Sequence, residues 1–394
     1  MSAEAHPLRG KGELIKQKND LAVQNIQTAW YPSFNINAKA SWQSEVTSIK
    51  VDNPMIDINI PSPSHDQYNV TLDIAQLVWD GRGVNKEKLL QQSQNMTELA
   101  SLEKDLYQIN FSVSKAYFSI LLLQEKLKII DNVMGVIDKR ITVAENSVQN
   151  GVLLRYELDA LKAEKVKMNR QRTEITTQIE SAFETLTMLT GRQIKTSTAL
   201  SLPSWSMPNV TSLRRPEIDM FTLGAEHYAT AASLLNAKRQ PKLAAFTQAG
   251  YGKPGLDFLS DEFNEWLIVG VKLQWNIYDW NKVKREKQQL GIQQDMTQLN
   301  RQSFERLIQI ELQQAYRNLQ LYKELVEQDE QLVALRHSIT KAVEAKLENG
   351  VATVTEYLTE LSNETQARLE QKSHQILMHQ SIVNYNLIAG NINQ

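Results

Sequence analysis

The chain is 394 residues long, 42% hydrophobic and free of cysteine. That is enough apolar material for a sizeable folded body, and it excludes disulfide staples, thiolate metal sites and thiol nucleophiles. The 43 Lys+Arg and 45 Asp+Glu leave a net charge of −2, so no global positive field recruits nucleic acid or anionic lipid. The longest uninterrupted apolar runs, such as Ile120–Leu123 and Trp266–Val269, fall far short of the roughly 20 residues a helix needs to cross a bilayer.

Met1 to His6 carries no basic stretch leading into an apolar one, which leaves open whether a leader has been removed. A helix is expected from Leu8 to Tyr31. Beyond Pro32 the period drops to two: Phe34, Ile36, Ala38, Ala40 and Trp42 alternate with polar neighbours, and Tyr68, Val70, Leu72 and Ile74 do the same. These are two strands, joined by a long loop at 49–67. From Gly81 to Gln149 a proline-free tract repeats apolar residues at alternating threes and fours (Leu99, Leu102, Leu106, Ile109, Val113, Ala116, Ile120, Leu123, Leu127, Ile130, Met134, Ile137, Ile141). That is a heptad seam, and it predicts a coiled-coil helix roughly 100 Å long at about 1.5 Å per residue. A turn at Asn150-Gly151-Val152 and a return helix from Val152 to Thr190 follow. Gly is suited to that turn because it accepts positive φ.

The whole pattern then recurs. Asp80, Asn150-Gly151-Val152 and Gly191 reappear 199 residues later as Asp279, Asn349-Gly350-Val351 and Gly390. Residues 7–191 and 216–390 are therefore two copies of one unit, with hairpins at 32–79 and 241–279, tips at 150–152 and 349–351, and a Pro/Ser/Thr-rich linker at 192–215 between them. In the second copy Leu267, Val269, Val271, Leu273, Trp275 and Ile277 alternate cleanly except at Ile268, and Leu243 to Tyr251 alternates less well. The second seam runs Ile308, Leu312, Ala315, Leu319, Tyr322, Val326, and Asp329 is expected to interrupt it.

Alternating strands alone fit a soluble sheet with one buried face, but here the helices are committed to long rods and leave nothing to cover it. Each strand is about as long as a membrane β-strand needs to be. Trp30, Tyr31, Trp79, Tyr278 and Trp280 collect at the helix-proximal ends, as an interfacial aromatic belt would. Four strands cannot close a barrel and open edges are not tolerated in hydrocarbon, so several chains must combine, and three would supply 12 strands.

Arg215-Pro216-Glu217, Arg239-Gln240-Pro241-Lys242-Leu243, Ile277-Tyr278-Asp279-Trp280 and Leu347 to Leu358, in the twofold order helix, strand, strand, long helix, tip, return helix, resemble the outer membrane factors, the TolC-like efflux proteins, over residues 7–390. The resemblance implies a mainly α fold with a membrane β-barrel portion: a long coiled-coil α-helical barrel and four strands per chain, closed as a 12-stranded barrel in a homotrimer. It implies an outer-membrane channel-tunnel, the passive exit duct of a tripartite efflux or secretion system, with outer-membrane lipid around the barrel and the helical part in the periplasm of a Gram-negative cell. A periplasmic adaptor would dock on the tips Asn150, Gly151, Val152, Asn349, Gly350 and Val351, and an inner-membrane pump would deliver cargo. The periplasmic gate would be lined by Tyr156, Glu157, Glu356 and Glu360. Thr359 stands where relatives carry a further acid and Ala352 where many carry arginine, so Arg155 and Lys162 are the candidate latches.

No enzyme activity, cofactor, resident metal or nucleic-acid partner is expected. The six histidines form no metalloprotease pattern, and no phosphate loop or nucleophile elbow is present. The competing reading is a soluble coiled-coil scaffold.

Overall fold

A computed structural model describes residues 6–48, 62–203, 213–258 and 260–391. In chain order the elements are α1 (Leu8–Gln27), β1 (Ser33–Trp42), β2 (Asp66–Trp79), α2 (Gly83–Gln149), α3 (Arg155–Thr190), α4 (Pro216–Ala237), β3 (Lys242–Lys253), β4 (Asn264–Gln274), α5 (Lys282–Glu348) and α6 (Val354–Ala389). The long helices α2 and α5 have 67 residues each, about 100 Å at 1.5 Å per residue. Among the described residues no helix is long and apolar enough to cross a membrane. Most of the expected loop at 49–67 and the centre of the linker, 204–212, lie outside the described residues.

The chain divides into two compact units. One comprises Glu13–Leu99 and Phe221–Leu299 and contains all four strands. They form a single antiparallel sheet in the order β1-β2-β3-β4, so the two copies meet at the β2–β3 pair. The sheet is inside out by the standards of a soluble protein. Thr71 is 7% exposed, yet its neighbours Val70 and Leu72 are 50% and 38% exposed, and Ile36 and Val269 reach 77% and 70%. On β2 from Gln67 to Asp73 the polar side is the sheltered one, β1 is open on both faces except at Ser41, and the sheltered side of β3 and β4 carries Phe246, Trp266 and Ile268 among small and polar residues. Large apolar side chains of β1, β2 and β4 face outward, the reverse of the usual partition of side chains. Strand β4 stops at Gln274, three residues before the expected Ile277. It is an edge strand, with no further strand beside it among the described residues.

The other unit, Met1–Gly12 with Ala100–Met220 and Asn300–Gln394, is all helical apart from turns and the linker. The seam of α2 packs as the heptads require. Val113, Ala116 and Ile120 meet Ile179, Phe183 and Leu186 of α3, and Ile130 and Ile137 meet Met168 of α3 with Tyr357 and Leu361 of α6. The adjacent stripe, Phe118 and Leu121, meets Ile376, Val383 and Leu387 of α6. The linker lies along α2, where Tyr117 Oη donates to the Ser201 carbonyl at 2.7 Å and Gln124 Nε2 to that of Thr198 at 2.9 Å.

The α5 seam is not interrupted at Asp329, contrary to the sequence expectation. The three-four spacing continues through Asp329, Val333, Arg336, Thr340, Val343 and Leu347, all buried or half-buried. What changes is polarity. Asp329 Oδ2 bonds His374 Nδ1 at 2.7 Å, Arg336 Nη1 bonds Glu360 at 3.3 Å, and Thr340 Oγ1 donates to the Glu360 carbonyl at 3.2 Å. A polar residue holds a seam position when the facing helix satisfies it, so periodicity survives where apolarity does not.

One cation ties this unit together. The buried Arg215 guanidinium donates to both oxygens of buried Glu217, at 3.0 Å from Nε and 2.7 Å from Nη2, and to the Leu387 carbonyl at 3.3 Å. It lies 4.6, 5.3 and 5.8 Å from the ring centres of Tyr107, Phe111 and Phe304. Tyr107 Oη donates to the same Leu387 carbonyl, and burial pushes its pKa up to about 12, so the hydroxyl remains a donor throughout the physiological range. Residues of α2, α4, α5 and α6 thus converge on one side chain.

Replacing Arg215 by Met would leave the Glu217 carboxylate buried without its partner, a loss of about 3–5 kcal/mol. Thermal unfolding in detergent, followed by helical circular dichroism, should show a lower midpoint for Arg215→Met, and Glu217→Gln added to it should restore part of the loss. An unchanged midpoint would refute the hub.

Candidate functional site: the two helical tips

Each long helix ends in the same way. The Gly151 N–H donates to the Val148 carbonyl at 3.1 Å and the Val152 N–H to that of Ser147 at 2.8 Å; Gly350 and Val351 repeat the pair onto Leu347 and Lys346 at 3.0 and 2.8 Å. This is the Schellman closure, with its glycine at φ +72° in both copies, a conformation that costs an L-residue roughly 1–2 kcal/mol. The residue after such a glycine usually packs back on the helix's last turn. Here the side chains at that place are Ser147 and Lys346, and the valines are left outside: Val152 is 80% and Val351 74% exposed, with Leu154 at 65%. The tips therefore present apolar side chains to their surroundings on hydrogen-bonded turns.

Inside the turns the two copies are packed together. Ala144 of α2, Leu158 and Leu161 of α3 and Val354 of α6 form one buried cluster, joined by Leu347 of α5. Arg140 of α2 donates to Glu344 and, at 3.0 Å, to Glu348 of α5, and its guanidinium lies 5.4 Å from the ring centre of Tyr357 of α6. Burial works against the Arg140 charge, but the two carboxylates hold its pKa above the usual value. Neither Arg140 nor these partners stood out in the sequence, because an arginine on a helix face carries no periodic signal.

The return helices begin later than expected, at Arg155 and Val354 rather than directly after the glycines. Leu154 and Thr353 are extended and act as N-caps. Thr353 and Glu356 form a reciprocal capping box, at 3.2 Å from the Glu356 N–H to Thr353 Oγ1 and 2.9 Å from the Thr353 N–H to Glu356 Oε2. The Thr-x-x-Glu spelling of that box was readable in the sequence. Leu154 offers no side-chain cap. Glu157, in the first turn of α3, is buried, and its Oε1 accepts the Val354 N–H of α6 at 3.4 Å. Two acids assigned to the gate thus also serve the start of α6, where the helix dipole favours negative charge.

The remaining candidates stand around these caps. Tyr156 is 59% exposed, Glu360 pairs with Arg336, and Lys162 pairs with Glu145 of α2 at 2.8 Å. Further from the tip, buried Glu364 accepts from His337 at 2.8 Å and from Arg368 at 2.7 and 2.9 Å. Burial raises its pKa, but bonds from Arg368, Thr340 and His337 outweigh that and leave it below the usual 4.5.

At the other end of the long helices, Asp80 Oδ2 accepts the Val84 N–H and Asp279 Oδ2 the Val283 N–H, opening α2 and α5 alike. The expected belt residues lie next to these caps or just before β1: Tyr31, Trp79, Tyr278 and Trp280 are 67%, 44%, 63% and 76% exposed, and Trp30 is half-buried. A second aromatic group, absent from the sequence expectation as a group, occupies the far strand ends. Trp42 stacks on His65 at 6.1 Å, and Phe263 stacks on Tyr68 and Tyr251 at 6.3 and 5.5 Å. Phe34 and Trp42 are eight positions apart on β1, about 26 Å along the strand at 3.3 Å per residue and roughly 20 Å across a membrane at the usual barrel tilt of about 40°.

An inside-out sheet between two aromatic belts, continued by long helices, defines an outer-membrane β-barrel channel with a helical tunnel. Comparison with known proteins agrees. The family model for the outer membrane efflux protein matches residues 18–192 and again 208–390, so the chain belongs to that family, whose members are channels of the outer membrane and not enzymes. Solved structures share the fold. The Campylobacter jejuni CmeC outer membrane channel superposes with a TM-score of 0.71 at 14% identity, covering 99% of this chain and 84% of that one. The outer membrane protein VceC of Vibrio cholerae gives 0.70 at 14%, covering 98% and 93%. The open state of the Neisseria gonorrhoeae MtrE outer membrane channel gives 0.70 at 15%, covering 99% and 87%. No curated protein matches by sequence. Outer-membrane placement removes the soluble-scaffold alternative.

Because Glu364 is held below its unfolded value, its contribution to stability is complete above about pH 4.5 and is lost as pH falls through the folded value. Thermal midpoints of the detergent-solubilised protein between pH 6 and 3.5 should therefore fall less steeply in Glu364→Gln than in the parent chain. Parallel curves would contradict the assignment.

Proposed function

We propose that three copies of this chain close into a 12-stranded barrel whose polar face lines an aqueous lumen, making the passive exit duct of a tripartite efflux system. The observation that carries this reading is the inverted sheet. Its apolar face suits lipid, and its two unpaired edges, β1 and β4, cannot remain open in hydrocarbon. Pairing β4 of one copy with β1 of the next removes both edges at once, and a threefold ring does so with identical contacts.

The tips are the docking surface for a periplasmic adaptor, which couples the duct to an inner-membrane pump. The support is the pair of hydrogen-bonded turns at Asn150, Gly151, Val152 and Asn349, Gly350, Val351 with their valines held outward. The gate lies in the first turns of α3 and α6. Tyr156, Glu356 and Glu360 are its lumen-lining candidates, and Glu157 acts from behind by fixing the start of α6. Opening is a rearrangement of these turns driven by differential binding of the docked partner.

Mass measurement in detergent should give a protein component near three chains of 45.0 kDa, and a detergent-free monomer would end the proposal. Val152→Asp with Val351→Asp should abolish efflux-dependent drug resistance in cells while leaving bilayer conductance unchanged. Replacing Tyr156, Glu356 and Glu360 together by Ala should instead raise conductance severalfold; no change in conductance would remove the gate from this position.

A further inference from the structure

The sheltered face of the sheet holds a group of side chains that barrel closure does not require. Asp73 on β2 accepts from Asn37 Nδ2 of β1 at 2.5 Å, from Gln248 Nε2 of β3 at 2.5 Å and from Thr71 Oγ1 at 3.0 Å. One carboxylate is thus fixed by donors from three strands. Two residues to either side along β3 and β4, aromatic rings lie across glycines. Trp266 of β4 covers Gly250, where a Cβ would fall 2.2 Å from the indole, and Phe246 of β3 covers Gly270, where it would fall 2.8 Å from the ring. The two rings cross between the strands in opposite directions, each using the other strand's glycine. Without a Cβ beneath it, a ring can lie flat on the wall and leave its other face uncovered.

The register places these groups close together. Gln248 pairs with Asp73 and with Ile268, at the level between Phe246 and Trp266. Two lysines share the face, Lys39 opposite Asn69 and Lys272 opposite Ala244. Each is four residues along the strands from the level of Asp73, about 13 Å. That exceeds the screening length of about 8 Å at physiological salt, so they do not cancel the carboxylate locally.

We propose that this patch is a contact station for organic cations passing along the wall, with Asp73 meeting the positive charge and Phe246 and Trp266 taking the apolar or aromatic body. A carboxylate supplies the Coulomb attraction, and an uncovered ring face attracts a cation through its quadrupole. The station rests on the reading of this face as the lumen wall. Its donor-anchored carboxylate stays in place while cargo passes, because the strands hold it whether or not a cation is present.

The test is block of single-channel current in a planar bilayer, with benzyltrimethylammonium as the cation and benzenesulfonate as an anion of similar size. The wild-type chain should be blocked by the cation, and Asp73→Asn should raise the half-blocking concentration about fivefold, a change within reach of one screened charge. Phe246→Leu, which keeps an apolar cover over Gly270, should raise it by a smaller factor. The sulfonate should block the wild type more weakly than the cation does, and Asp73→Asn should not weaken its block. Equal half-blocking concentrations in wild type and Asp73→Asn, or equal block by the two probes, would overturn the station while leaving the channel intact. A trimer that inserts but passes no current, even with Tyr156, Glu356 and Glu360 replaced, would sink the channel reading and the station with it.

Discussion

Hydrogen-bonding groups at a strand edge must find partners, and in hydrocarbon water cannot supply them. The four-stranded sheet has two such edges, β1 and β4, and an outward face made of Phe34, Ile36, Leu267, Val269, Val271 and Leu273, each at least 64% exposed. A soluble protein would cover that face and blunt those edges with charge or proline. This chain instead surrounds the apolar band with aromatic side chains at both ends. The edges and the face together require lipid and require other copies, and the polar lumen follows from the strand period of two: whatever faces lipid on odd positions leaves the even positions for water.

The helical unit meets a different constraint, the need to hold long rods in register without a globular core. Its solution differs between the copies. The α2 seam and the stripe beside it are apolar and pack against α3 and α6 in three clusters. The lower α5 seam relies on Asp329–His374, Arg336–Glu360 and Thr340. Apolar seams gain their energy from area removed from water and tolerate small slips. Buried polar pairs gain little net energy, but a slip that separates them leaves desolvated groups unpaired. The first copy therefore supplies cohesion and the second supplies register, and Arg215 joins them where α2, α4, α5 and α6 meet.

How much of this was legible in the sequence depended on whether the signal was periodic. The heptads from Leu99 to Ile141, the alternation in β1 and β2 and the 199-residue repeat located the elements closely, because burial imposes a period that composition records. Asp329 misled for the same reason: judged by apolarity alone, a seam residue satisfied by His374 looks like a break. Boundaries moved where the chain bends before the helix starts, with Leu154 and Thr353 extended as the residues that open α3 and α6. Arg140 with Glu344 and the Asn37–Asp73–Gln248 group were out of reach, since they join residues 36 to 204 positions apart that share no pattern.

The tips show how one residue can answer to two demands. Glu356, a lumen acid by the family resemblance, is also half of a capping box; Glu157, its counterpart in the first copy, also accepts a bond from the neighbouring hairpin. A carboxylate at a helix N-terminus can accept from the unpaired N–H groups of the first turn, so both side chains are positioned by the geometry that begins α6. Capping is local and does not depend on other copies of the chain, so these side chains are held in place by folding alone. Any movement that exposes the first turn of α6 gives up the Glu157 bond to the Val354 N–H, so part of the cost of such a movement is set inside each chain.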